Sequence, residues 1–362
     1  MGGNNKKGKE ILTQGTLIIV GSYFFFLGLA RTQNILGPLV IAVILALVVL
    51  PLSQRIEKRG MKRGYASLIN VFLIFLVSLA FLALVSFQVK SFVDDWPQIK
   101  EQMAPRIDQL KAFALEHTPL EQSDLQSSGE GGSSLLPSAG SSSGQTAMSI
   151  LSAIFGFIGN YLLTFIYIFF LLTYRRRFKE FLLSLFRQEK KDGVSEVIYQ
   201  SANVVQQYLV GKLILMGLLA VVYSIGLGLS GVSNFILVGL IAAVLSLIPY
   251  IGNIIGFVLA ISLGFLTSGE VGVLIGVVAT FTVTQFVESY IFQPYIVGDK
   301  VDVHPFFVIL VVIIGNAIWG VAGMILAIPL MGMITIIFLH VEALHPYGYL
   351  FSSKSYSKKN NH

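Results

Sequence analysis

The residues best able to do chemistry here are a few carboxylates, amides and one histidine, set inside or beside long apolar stretches. Glu288 lies within such a stretch, with Gln285 three residues before it and Gln293 five after. Residues three apart on a helix share a face, so Gln285 and Glu288 point the same way. A carboxylate at mid-membrane costs about 2.5–3.5 kcal/mol on insertion scales, which is why such groups are usually buried and functional. Glu288 sits nearer the end of its stretch, which lowers that cost. It fits a proton carrier or a substrate contact, and equally a structural hydrogen bond tying helices or subunits together. Asn253 and Asn316 are amides at the centres of two further apolar stretches. Lys212 stands where a span begins, a position at which lysines snorkel to the interface. Asp299, Lys300 and Asp302 precede His304 and Pro305. Histidine is the side chain most easily titrated near neutral pH, so His304 and Asp299 suit a gate or proton-linked step, or else a solvated loop.

Enzyme signatures fail. Residues 226–231 read GLGLSG and match GxGxxG, but no strand precedes them and they fall in an apolar run. HExxH and phosphate-loop patterns are absent, and the five histidines are scattered, so neither a metal nor another cofactor is expected. With no cysteine, thiolate catalysis, disulfides and iron–sulfur clusters are excluded.

The elements that must position these groups are membrane helices. Only 12% of the 362 residues are charged, 54% are hydrophobic, and the mean hydropathy is +0.77. Soluble domains carry about 25% charged residues. Apolar runs occur near 11–30, 35–52, 65–89, 149–174, 213–231, 234–267, 270–292 and 306–341. About 20 helical residues cross the roughly 30 Å of hydrocarbon, so most of these fit single crossings. The runs 234–267 and 306–341 are too long for one. Pro249, Gly252, Asn253 and Gly256 interrupt the first; Gly315, Asn316, Gly320 and Gly323 interrupt the second, with Pro329 later. Proline lacks a backbone N–H and glycine weakens a helix by about 1 kcal/mol, so each centre invites a break. Broken backbone survives in a membrane only where protein or a wet cavity covers it. Each broken run follows a single span. If both fold as re-entrant hairpins, the chain holds two span-plus-hairpin units of opposite orientation, the pattern of an inverted-repeat transporter with its binding site at the breaks. The alternative is that each half crosses fully.

The expected fold is therefore an all-α polytopic membrane protein with about 6–8 spans and two Gly/Pro-broken helical hairpins. Its expected organisation is N-terminal membrane helices (1–90), an extracytoplasmic segment (91–147), a membrane helix (148–174), cytoplasmic amphipathic helices (175–212), a transport core (213–341) and a cytoplasmic tail (342–362). Basic residues cluster at Lys6–Lys9, Arg55–Arg63 and Arg175–Lys191, on one side of the membrane if each intervening run crosses once. The positive-inside rule makes that side the cytoplasm, with both termini in it, and the bacterial inner membrane is the expected location. Segment 91–147 is acidic, with an amphipathic pattern over 96–117 and a Ser/Gly-rich linker over 127–146, and belongs outside. The N-terminal run also fits a signal peptide with Gly28-Leu29-Ala30 as its cleavage site, although its length favours a retained helix. The pairs Gly252/Gly256 and Gly272/Gly276 have the spacing of close helix packing.

Several stretches resemble the autoinducer-2 exporter family of bacterial transporters. They are LGPLVIAVILALVVLPLSQRIEKRGMKR near the start, YIFFLLTYRRRFKEFL in the middle, the segment from YLVGK to PYIGN, and QFVESYIFQPYIVGDKVDVHPFF towards the end. The most specific parts are Pro249-Tyr250-Ile251-Gly252 and the run from Gln293-Pro294 through Gly298 to His304-Pro305. Where the family commonly has Gln after the Gly of YLVG and Pro after the Gly of PYIG, this chain has Lys212 and Asn253. The resemblance implies a homo-oligomeric carrier of small molecules or ions in a lipid bilayer, with no cofactor and no nucleic-acid partner. It implies export of a quorum-sensing signal, or Na⁺(Li⁺)/H⁺ antiport as the alternative. From the residues themselves, a membrane scaffold binding a partner through its outer loop is a third reading.

Overall fold

The computed structural model describes residues 3–117, 143–248, 251–268, 270–298 and 301–353. Among these the chain is helical throughout, apart from turns and short connections. The helices are α1 (Gly3–Arg31), α2 (Gln33–Lys58), α3 (Arg63–His117), α4 (Ser143–Ser184), α5 (Lys191–Leu229), α6 (Phe235–Leu245), α7 (Ile251–Ser268), α8 (Val271–Val287), α9 (Pro305–His340) and α10 (His345–Phe351). A π-helical segment, Glu288–Val297, continues α8. Five stretches among the described residues are long and apolar enough to cross a membrane: Gln33–Lys58, Arg63–Asp94, Gln188–Leu229, Val271–Ile296 and Pro305–His340. Two predicted boundaries dissolve. The helix over 96–117 continues the preceding span as a single 55-residue helix, and the amphipathic stretch near 194–208 is the first half of α5.

Both long apolar runs reverse direction. In the first, α6 and α7 are joined by a turn whose described part is Ser246–Ile248. Gly252 faces the backbone of Leu245, and a Cβ at Gly256 would lie 3.0 Å from that of Ala242. The break thus falls just before Gly252. Gly252, Asn253 and Gly256 are helical, and the glycines make the close face on which the two arms meet. Pro249 lies outside the described residues. In the second run, helical geometry fails at Trp319 (φ −134°, ψ 21°) and Gly320 (φ 59°, ψ −140°). A φ of that sign is open to glycine and strained for other residues. On a straight helix Gly315 and Gly323 would stand about 12 Å apart. Instead a Cβ on Gly323 would lie 2.7 Å from the carbonyl carbon of Gly315. α9 is thus a hairpin with arms 305–318 and 321–340. The 11 residues of α6 rise only about 16 Å, well short of a bilayer core.

The chain divides into two compact units. One comprises Met1–Leu73, Asn160–Val210 and Asp299–His362, and the other Ile74–Gly159 and Gly211–Gly298. The first contains the α9 hairpin. Its Trp319 indole N–H donates to the carbonyl of Leu29 at 3.1 Å, near the end of α1. The second contains the α6–α7 hairpin, with two stripes at helical spacing: Leu215, Leu219, Tyr223 and Leu227 on α5, and Val273, Val277 and Phe281 on α8, all buried. α5 and α8 approach closely where small residues meet. Gly226 faces Thr280, Gly276 faces Ser230, and the Ser230 and Thr280 hydroxyls are hydrogen-bonded at 3.2 Å. Gly272 has nothing within 4 Å and does not share in that packing, contrary to its GxxxG spacing. Large apolar side chains such as Leu17, Phe24, Phe72, Val221 and Ile275 are exposed, whereas Ser67, Asn70, Thr284, Glu288 and Thr335 are buried. In water that arrangement would be unfavourable; facing lipid it is the expected one. The chain is an all-α polytopic membrane protein.

Candidate functional site

Glu288 is the most buried acidic residue among the described residues of its unit, at 5% exposure. It continues the buried stripe Phe281, Thr284 of α8 by one further turn, and marks the point where i→i+4 bonding gives way to i→i+5. Pro294, which has no N–H to donate, lies inside that wider turn. π-helical turns are rare and recur at functional sites.

The partner of Glu288 comes from the first hairpin. Asn253, in the opening turn of α7, donates from Nδ2 to Gln285 Oε1 at 2.8 Å and to Glu288 Oε2 at 3.3 Å. Gln285 Nε2 in turn donates to Ser289 Oγ at 3.1 Å. The positive end of the α7 dipole therefore faces the carboxylate, which offsets part of the penalty of burying it. One amide clamps the first turn of α7 to the α8–π junction. Its own Oδ1 is buried without a hydrogen-bond partner among the described residues. Tyr223 of α5 packs against Phe281 at 4.7 Å between ring centres, the rings tilted by 35°, and its buried hydroxyl has no hydrogen-bond partner among the described residues. Lys212 and Tyr223 both interact electrostatically with Glu288, and no N···O contact within 4.0 Å joins Lys212 to it among the described residues. Beside this cluster, between α5 and α8, runs an open groove of about 920 Å³. Ser230, Thr280 and Thr284 line it, with Ser268 and Glu270 at one end. Thr284 stands one helical turn before Glu288.

The arrangement is a buried carboxylate with one weak direct donor, an amide acceptor and a phenol hydroxyl with unused capacity, and a lysine at longer range. It can accept a proton, a cation or the hydroxyl and amine donors of a small solute. No group of three or more potential metal ligands occurs among the described residues.

Of the residues singled out from sequence, Glu288, Gln285 and Asn253 converge. Gln293 is exposed in the π-helical segment, where its carbonyl accepts from Gly298 N–H at 2.7 Å. Asn316 is exposed on the first arm of α9, in the other unit, and Gly315 and Gly320 shape that hairpin. His304 caps α9, its Nδ1 accepting from Phe306 N–H at 3.3 Å, while its backbone N–H donates to Phe351 at 2.7 Å. Asp299 lies outside the described residues. Asp302 accepts from both hydroxyls of Ser352 and Ser353 and from the Ser353 N–H, so it holds the end of α10. Sequence reasoning missed Tyr223, whose signal was being the one polar-tipped member of the 215/219/223/227 stripe.

A sequence model described as AI-2E family transporter matches residues 16–343. The chain is 24% identical over 321 residues to "Putative transport protein YueF" of Bacillus subtilis, covering 85% of this chain and 84% of that protein. It is 24% identical over 303 residues to "Putative transport protein MT0215" of Mycobacterium tuberculosis, covering 83% and 81%. A third relative, "Putative transport protein YrrI" of Bacillus subtilis, is 30% identical over 133 residues, 37% of each chain.

Proposed function

The chain belongs to the AI-2E family of transporters, and from that premise we propose that it exports a small polar organic solute, such as a quorum-sensing signal, across the bacterial inner membrane. One observation carries the reading. Glu288, Asn253 and Gln285 form a polar cluster with unused hydrogen-bonding capacity inside a lipid-facing helical unit, beside the turn of a hairpin whose first arm is too short to span. Unfilled polar capacity in such a place is unfavourable unless something else fills it. A solute with several hydroxyl groups fills it by donating to Glu288 and to Asn253 Oδ1. The termini lie in the cytoplasm on the charge pattern, and the carrier works as a homo-oligomer.

A second reading, Na⁺(Li⁺)/H⁺ antiport, is favoured by the burial of the Glu288 carboxylate, which can hold a proton and a small cation in turn. The test is purified protein in liposomes, assayed for release of loaded signal and for collapse of a pH gradient by Na⁺ or Li⁺. For the solute carrier, release proceeds without cation and Glu288→Gln retains most of it. For the antiporter, Glu288→Gln abolishes cation-dependent proton movement while assembly persists. Protein that neither releases solute nor responds to cations would refute both.

A further inference from the structure

A second polar structure lies in the other unit, where α2 ends and α4 leaves its apolar stretch. α2 closes on Arg55, Glu57 and Lys58, followed by Arg59, Lys62 and Arg63; α4 runs on through Arg175, Arg176, Arg177 and Lys179. These basic strings are about 118 positions apart in sequence, and Glu57 joins them. Its Oε2 accepts from Arg175 Nη2 at 2.6 Å, with Arg63 Nε 3.5 Å away. Its Oε1 accepts from the buried Ser53 hydroxyl at 3.1 Å. The carboxylate is 15% exposed and the Arg175 side chain 24%, so this bridge is shielded enough to fix how the two strings meet. Arg176 pairs with Glu180 at 2.6 Å, and Arg177 lies over Tyr174. Arg55, Lys58, Arg59, Lys62 and Lys179 remain exposed, with no ion-pair partner among the described residues. Within a few turns of these cations α3 exposes Leu68 and Ile69, and α4 exposes Phe170 and Tyr174.

We infer that this face is a headgroup site for an anionic phospholipid, assembled by the Glu57–Arg175 bridge. A phosphodiester meets the unpaired cations while its acyl chains cover the adjacent apolar side chains. A soluble anion would satisfy only the first half of that surface, and a neutral lipid only the second. The site is independent of what Glu288 carries.

The experiment is thermal melting of the purified full chain in a neutral detergent, titrated with phosphatidylglycerol, phosphatidylcholine or inorganic phosphate. Phosphatidylglycerol is expected to raise the melting temperature and the other two to leave it unchanged. Each interfacial cation contributes roughly fivefold in affinity, so Arg59→Gln with Lys62→Gln should raise the half-maximal lipid concentration about 25-fold. Glu57→Gln separates a built site from mere positive charge. It adds one net positive charge, so undirected attraction predicts equal or tighter binding, whereas loss of the bridge predicts weaker binding. Equal or tighter binding by Glu57→Gln, an unchanged titration for the Arg59/Lys62 variant, or the same stabilisation by inorganic phosphate would each overturn the assignment. If Glu57→Gln does not fold, the Arg59/Lys62 variant, which alters exposed side chains only, decides alone.

Discussion

Replacing Gly323 with alanine should loosen the second hairpin, and the size of the effect follows from what the new methyl meets. Its carbon would stand 2.7 Å from the carbonyl carbon of Gly315 and 3.2 Å from that residue's Cα, and closer still to the carbonyl oxygen. Comfortable carbon–oxygen approach is about 3.3 Å or more. The obstructing atoms are backbone, so no rotamer change relieves them and the arms must separate. Overpacking of this kind costs about 1–3 kcal/mol, and rigid backbone on the receiving side puts this case near roughly 3 kcal/mol. Alanine returns about 1 kcal/mol in helix propensity, leaving a net loss of about 2 kcal/mol. Gly217 is the control. It is exposed in the interior of α5 with nothing within 4 Å, so Gly217→Ala should be neutral or stabilising by about 1 kcal/mol. For 362 residues, at about 2.1 cal/mol/K of unfolding entropy per residue, the two changes amount to a fall of about 3 °C and a rise of up to about 1 °C in melting temperature. Both are read from purified protein in one detergent. Gly315→Ala should match Gly323→Ala, and the double variant should cost less than the sum, because both relieve the same contact. A Gly323→Ala protein that melts at or above the parent would show that the chain does not reverse at Trp319–Gly320 in this way.

Three further outcomes are expected. Asn253→Ala removes the 2.8 Å and 3.3 Å bonds that join α7 to Gln285 and Glu288; a bond to a charged acceptor is worth about 1.5–3 kcal/mol, so liposome flux should drop at least about tenfold, and unaltered flux would remove Asn253 from the site. Asp302→Ala removes its bonds to Ser352 and Ser353, and a cysteine at Val303, which is only 7% exposed, should then react with maleimide at least about tenfold faster than in the Asp302 protein; equal rates would mean that α10 stays docked without those bonds. Cysteines at Ser128 and Ser357 in this cysteine-free chain test orientation, since an impermeant reagent on intact cells should label only the first, and labelling of the second would reverse the topology.

Much of the fold was legible because hydropathy reports the solvent around a segment. Runs near 20 apolar residues announce crossings wherever they pack. Proline and glycine mark where backbone bonding must fail, and both long runs do reverse near such residues. The sharing of a face by Gln285 and Glu288 follows from helical spacing alone. The exact reversal points were not legible. Gly252 and Gly256 read as a break, yet they are helical and serve as a contact face, because the missing side chain lets another backbone approach. Gly272 and Gly276 have the same spacing, but only Gly276 meets a partner, since Ser230, just past the end of α5, stands opposite one and open groove opposite the other. His304, with its titratable ring, is held as a helix cap by the position of Phe306 and Phe351.

The sequence by itself determined that this protein lives in lipid, that its two long apolar runs turn back, and which helix faces carry polar groups. Tertiary structure alone decided which polar groups meet. Asn253 reaches Gln285 and Glu288 across 32 and 35 positions of sequence, and Glu57 reaches Arg175 across 118. In a membrane both lipid and the neighbouring helix are apolar, so burial does not tell a segment which partner to choose. That choice falls to close fits between small residues and to a few polar pairs, and both depend on the relative height and rotation of helices far apart in the chain.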